Sequence, residues 1–428
     1  MSDDLLRIAC GRLFDGVEPA FRESIVVTTR AGRIEEIAAG DAADALRQRA
    51  RGDAGWLDLT GHTVLPGLID CHDHVGFDLG DIGEQVAEGD VSLTLRAVRT
   101  CSAALDAGIT TLRDMGEHAD LAVKWRDAVR SGGLRGPRLI VAGTWITRTG
   151  GHVWMAGREA DGPHEIARAI REQARAGSDW IKLVITGGIT TPGSDPVARG
   201  YTREEINAAV NEAHLVGLPV TAHIHGGTGL RDAILAGIDC VEHATFGTRE
   251  DLELMSEHGV ALVSTFGVLD VGASDPRLST EVRDKFRRAR EQCLDALAIA
   301  RDVGLTVAVG TDLNHADIAR ELTGLAAAGF TPMEALTAAT AAAGRVLRRD
   351  DLGVLRPGAQ ADLIAVRGGL DGLDALEDIL LVMQGGVVVR DARPERTAAA
   401  IAEGRPTGTL RPRSGPEPEP EGMLGTIG

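Results

Sequence analysis

Residues 70–74 read Asp70-Cys71-His72-Asp73-His74, which sets two imidazoles two positions apart. In a strand, positions i and i+2 share a face, so His72 and His74 would point the same way. Two imidazoles on one face are half of a zinc-type site, because neutral ring nitrogens ligate divalent ions well. Further along, A-H-I-H-G supplies His223, V-E-H supplies His243 and G-T-D supplies Asp312. A charged Asp is seldom fully buried without a partner. Four imidazoles and one carboxylate, each at the tip of a short apolar run, fit a metal centre better than ordinary packing.

The runs that must carry these residues are VLPGLIDC, GITTLRDM, PRLIVAG, DWIKLVITGG, LPVTAHIHG, DCVEHATFG, GVALVSTF and LTVAVGTD. Helical stretches separate them. One of these, TREEINAAVNEAHLVG, opens with a Thr202/Glu205 capping box and closes at Gly217. Eight strand–helix units predict a (β/α)8 TIM barrel over residues 65–352, with the reactive residues at the C-terminal strand ends where barrel sites lie. A doubly wound sheet is the rival topology.

Residues 1–64 hold short alternating runs (LLRIACGRLF, SIVVTT, RIEEIAA, TVLPG) broken by a helix-prone insertion, DAADALRQRARG. They predict the first part of a small β-sandwich. After a capped helix opening at Thr331-Pro332, the runs LGVLRPGAQADLIAV and ILLVMQGGVVVRD regain strand character. Residues 353–402 are therefore expected to complete the sandwich. Residues 403–428 carry five of the sixteen prolines and the run PEPEPEG. Such a composition buries no core, and a flexible tail is expected.

The bulk numbers narrow the function classes. Net charge is −18 with no basic stripe, which argues against nucleic acid or an anionic membrane as partner. Five widely spaced cysteines without C-x-x-C suit buried free thiols in a reducing compartment. No signal-peptide pattern opens the chain, and no run of ~18 apolar residues could span a bilayer. The expectation is a cytoplasmic protein acting on a small molecule, with homo-oligomerisation possible. Gly is abundant, 54 of 428 residues against a usual ~7%, as tight strand–helix turns require.

The set P-G-L-I-D-x-H-x-H, K-L-V-I-T-G-G, A-H-I-H-G, V-E-H and G-T-D resembles the amidohydrolase superfamily. Within it the chain is similar to the imidazolonepropionase-like branch that includes metal-dependent prolidases and ochratoxin-hydrolysing enzymes. The resemblance runs from about residue 5 to residue 395 and takes in the late P-G-x-x-A-D-L-I-x-V run. It implies a hydrolase that cleaves the amide C–N bond of a small acyl-amino acid or dipeptide with metal-activated hydroxide. It also implies two divalent ions, zinc being expected. His72, His74 and Asp312 would hold one and His223 and His243 the other. Lys182, at the end of the fourth strand, would bridge them as its N6-carboxylated form. Asp312 would take a proton from the attacking water and pass it to the leaving amine. Alternative readings are opening or deamination of an imidazolone-like ring, and a non-catalytic scaffold on the same fold. The six intact ligand positions speak against the scaffold.

His152, in T-R-T-G-G-H, matches a motif that contacts substrate in this branch; a solvent-facing loop histidine is its plain alternative. Tyr201, the only tyrosine, is a substrate-contact candidate or a hydrophobic staple before the Thr202 cap. His225 shares a face with His223 and is read as a supporting or packing residue. Asp70 and Glu242 are expected to orient backbone or histidine N–H groups, and Cys71 and Cys240 to fill the core. His315 lies on a loop shorter than is usual in this branch. His62, His118, His164, His214 and His258 fall in helical or loop contexts without a partner.

Overall fold

The computed structural model describes residues 5–393 apart from 54, 192 and 371, so the expected tail over 403–428 lies outside the described residues. Eight parallel strands form the barrel, at Leu68–Asp73, Ile109–Asp114, Arg138–Val141, Ile181–Val184, Val220–Ile224, Cys240–His243, Ala261–Ser264 and Val307–Val309. We number them one to eight. Each coincides with one of the eight apolar runs. Helices between them bury one face against the sheet. The helix after strand four, Arg203–Leu215, keeps both bonds of the Thr202/Glu205 capping box. Pro332 opens the helix Pro332–Ala338 as expected.

The ring consists of two hydrogen-bonded arcs, strands one to three and strands four to eight. A few backbone bonds stitch the seams. Asp179 N–H donates to the Val141 carbonyl at 2.7 Å, and Asp312 N–H donates to the His72 carbonyl at 2.8 Å. The second seam matters for the site. A Cβ at Gly310 would lie 2.4 Å from the His72 Cβ and 2.7 Å from its backbone nitrogen. The glycine of G-T-D therefore lets strand eight approach strand one closely enough to set Asp312 beside His72.

Both chain ends build one seven-stranded sheet. Leu6–Leu13 pairs antiparallel with Arg22–Arg30 and parallel with Trp56–Pro66, which in turn pairs with Leu363–Arg367. The sheet curls over its own core, which includes Ile8, Val27, Leu59, Leu363 and Met383. The turn at Gly32 thereby meets the turn at Gly385. The expected sandwich is thus a single folded-over sheet, with helix Gly40–Ala50 as the insertion. Strand Trp56–Pro66 runs to the foot of strand one, with only Gly67 between them. All five cysteines are buried and unbonded. No described helix is long and apolar enough to cross a membrane.

Candidate active site

The tips of strands one, four, five, six and eight surround a cavity. His72, His74, Lys182, His223, His243 and Asp312 all line it. The tightest group is His72, His74 and Asp312, whose ligand atoms lie within 4.8 Å of one another. The two Nε2 atoms are 3.4 Å apart, and Asp312 Oδ1 sits 3.6 and 3.8 Å from them.

The far side of each ring is already committed. His72 Nδ1–H donates to Glu242 Oε2 at 2.7 Å and His74 Nδ1–H to the Gly116 carbonyl at 2.8 Å. His243 Nδ1 is hydrogen-bonded to Thr265 Oγ1 at 2.7 Å. His223 is turned the other way, with Nε2–H donating to the Gly187 carbonyl at 3.0 Å, which leaves Nδ1 free. Ring nitrogens fixed from behind by such acceptors are the usual support of metal-ligating histidines. Burial drives these imidazoles to the neutral, ligating form, with His74 pushed down to about 4 and His72, His223 and His243 held well below the ordinary value. The donor set fits a divalent ion with a taste for nitrogen and oxygen.

Lys182 is 3% exposed and has no ion-pair partner among the described residues. Burial lowers its ammonium to about 8. Burial also pushes Asp312 up to about 7. A bound cation would favour the ionised Asp312 carboxylate and the neutral Lys182 amine alike. The backbone is unusual at the same places. His243, Asp312 and Leu313 have φ of 77°, 44° and 69°, left-handed values that non-glycine residues adopt at some cost and that concentrate at functional sites.

His152 and His225 enter the same cavity. His152 Nδ1 is held by Thr191 Oγ1 at 2.6 Å, and its ring centroid is 4.6 Å from that of His223. A Cβ at Gly188 would lie 2.2 Å from the His152 ring, so the second glycine of T-G-G makes room for it. His225 Nδ1 bonds to Thr245 Oγ1 at 2.9 Å, and the ring stacks on His243 at 4.9 Å. Tyr201 is not among the residues lining this cavity. It is 3% exposed, packs in the helix–barrel core and donates its hydroxyl to the Ala160 carbonyl at 3.0 Å, away from the cavity. It directly precedes the Thr202 cap of helix Arg203–Leu215.

Asp70 accepts His72 N–H at 3.0 Å and the Thr311 hydroxyl at 2.6 Å, tying the first ligand pair to G-T-D. His315 finds a place that the sequence left open. Its Nδ1 bonds Asp73 at 2.9 Å and its Nε2–H donates to the Phe77 carbonyl at 2.7 Å. Two of the histidines read as partnerless differ from that reading. His214 pairs with Asp239 at 2.9 Å, and His62 lies in a strand.

Arg113 escaped the sequence reading. It is fully buried beneath the histidines, its Nη2 2.7 Å from Glu242 Oε1 and its guanidinium 4.6 Å above the Trp180 ring. It is bonded to Glu242, and Glu242 in turn holds His72. The signal was an arginine inside the strand run GITTLRDM, where burial carries a cost that a specific partner offsets.

A model of the amidohydrolase family matches residues 63–390. The chain belongs to the amidohydrolase family. An ochratoxinase of Aspergillus niger is 32% identical over 350 residues, spanning 74% of this chain and 71% of that one. An imidazolonepropionase of Rhodococcus jostii is 28% identical over 360 residues, with coverage of 74% and 76%. The crystal structure of a Xaa-Pro dipeptidase with bound methionine in its active site superposes with a TM-score of 0.81 at 29% identity, covering 90% of this chain and 100% of that one. This amidohydrolase is a metal-dependent hydrolase of amide bonds, on a TIM barrel with an added sheet.

Proposed function

We propose that this amidohydrolase uses two divalent ions, zinc being the expected metal, to cleave the amide of a small acyl-amino acid or dipeptide in the cytoplasm. The observation that supports two ions over one is Lys182, buried among the ligands without a carboxylate partner. A buried ammonium beside dications is repelled, whereas the neutral amine can add CO2 and become a carbamate with two ligating oxygens. His72, His74 and Asp312 would hold one ion and His223 and His243 the other, with carboxylated Lys182 shared. The pair, when bound, supplies Lewis acidity to the amide carbonyl and lowers the pKa of the attacking water.

The protein groups do the rest. Asp312, beside the His72/His74 pair, takes the proton of the attacking water and returns it to the leaving nitrogen, so that an amine rather than an amide anion departs. His152, fixed by Thr191 through Nδ1, presents Nε2 to the cavity and contacts the substrate carbonyl or carboxylate. A cyclic amide is the second reading, favoured by the imidazolonepropionase relative.

Metal analysis of the purified protein and of Lys182→Ala, beside carbon-13 NMR in labelled bicarbonate, tests the reading. Two ions per chain and a carbamate resonance are expected, with both the resonance and one ion lost in the variant. A single ion and no carbamate in the wild type would leave a mononuclear hydrolase.

A further inference from the structure

The cavity is chemically two-sided, and its walls say which part of a substrate goes where. The ionisable groups, Lys182, Asp312 and the neutral imidazoles, are gathered at the floor. The walls are apolar, from Phe77, Trp145, Ile189, Val268, Leu269 and Phe286. Phe286 comes from the long helix Thr280–Asp302, and its ring lies so close over Gly272 that a Cβ there would be 2.7 Å from it. A carboxylate parked among these walls would lose its hydration and gain no partner.

A second pocket opens on the other side of His152 and shares His152 and Val184 with the first. Its lining is mixed and includes the polar side chains of Thr147, Arg148, Thr191 and Ser194. Two arginines reach it. Arg199 is paired with Asp232, whereas Arg148 is in no ion pair among the described residues and spends one Nη1 hydrogen on the Thr149 carbonyl at 3.1 Å. The one carboxylate in the lining, Asp195, accepts the Val197 N–H.

We infer that the substrate lies across His152, with an apolar, uncharged acyl group against Leu269 and Phe286 and the carboxylate of the leaving amino acid at Arg148. This deepens the acyl-amino-acid reading above and rests on it. Arg148 is then a specificity residue, selecting amides whose amine half carries an anion. Its guanidinium is suited to two parallel bonds to a carboxylate.

Matched pairs test it. N-benzoyl-phenylalanine and N-benzoyl-phenethylamine differ only in the carboxylate. Binding is read by calorimetry with the non-hydrolysable N-benzyl counterparts, and turnover with the metal-loaded full chain. Wild type should prefer the acid about tenfold or more, and Arg148→Ala should lose about tenfold for the acid and nothing for the carboxylate-free partner. Arg148→Lys should fall between. Leu269→Ala should weaken N-benzoyl against N-acetyl substrates without altering the carboxylate preference. Equal effects of Arg148→Ala on both members of a pair, or none, overturn the inference. Absence of turnover for every amide, with the binding preference intact, would instead count against the proposed reaction.

Discussion

At the residue scale, two carboxylates near the ligands have separate tasks. Asp312 faces the cavity and Glu242 faces away from it, bonded to both His72 and Arg113. Asp312→Asn keeps the shape and removes the proton carrier. Its kcat should fall at least about a hundredfold, as loss of a general acid–base does; near-normal kcat with bound metal would take that role from Asp312. Glu242→Gln should weaken metal binding by about 10–100-fold in chelator competition. It should also cost about 3–5 kcal/mol of stability, because Arg113 is left buried and unpaired. The double variant Arg113→Met/Glu242→Gln is expected to regain much of the stability and none of the affinity. If both return together, Glu242 acts only through folding.

At the element scale, the decisive contact is strand eight against strand one. They share no regular ladder, and Gly310 is what permits the approach. Gly310→Ala forces a methyl against the His72 backbone and should cost about 3 kcal/mol in denaturant unfolding. Metal affinity should fall with it, since Asp312 follows two residues later. A variant with wild-type stability would mean that the seam yields freely. The turn after strand four has the complementary duty. Gly187 fixes His223 through its carbonyl, and Gly188 clears space for His152. The T-G-G sequence thus sets two rings from two elements at once.

At the scale of the whole molecule, the loop after strand eight is locked to the end of strand one by His315 and Asp73. Burial works against the imidazolium, but Asp73 and Asp78 outweigh it and raise His315 to about 10. The folded protein therefore holds this proton more tightly than the unfolded chain. The stabilisation is complete below an ordinary histidine value of about 6.5 and is lost as pH climbs towards about 10. Burial works against the Asp73 carboxylate, but His315 and the His74 and Leu313 N–H groups together hold it below its ordinary value, so it contributes above about 4 and loses its share as pH falls. Melting temperature without added metal should decline from pH 7 to 10, and less steeply in His315→Gln. Parallel curves would exclude the pair as the cause. Metal should act on the same scale, because an ion bound only by the folded state stabilises it by mass action. Chelation of the purified protein should lower its melting temperature and zinc should restore it; no change in either direction would contradict a metal-bound folded state.

Much of this was written in the chain. Eight apolar runs, period-two spacing in H-x-H and the capping boxes are local signals, and local physics suffices to read them. Five of the ligand candidates were legible because polar residues at strand ends stand out against apolar runs, and Lys182 was added by the family resemblance alone. Other features depended on which strands meet. Arg113 and Glu242 are 129 positions apart, and only barrel closure makes them a pair. Asp73 could be seen, but its partner His315, 242 positions away, could not. Tyr201 shows the reverse: its position suggested a substrate contact, yet the fold turned its hydroxyl to Ala160 and buried it. The sequence by itself determined the barrel and the metal-type chemistry, since both follow from residue type and spacing. Tertiary structure alone decided which face of each histidine is free, which wall is apolar and where a cation stands unpaired, because those depend on distances between residues remote in the chain.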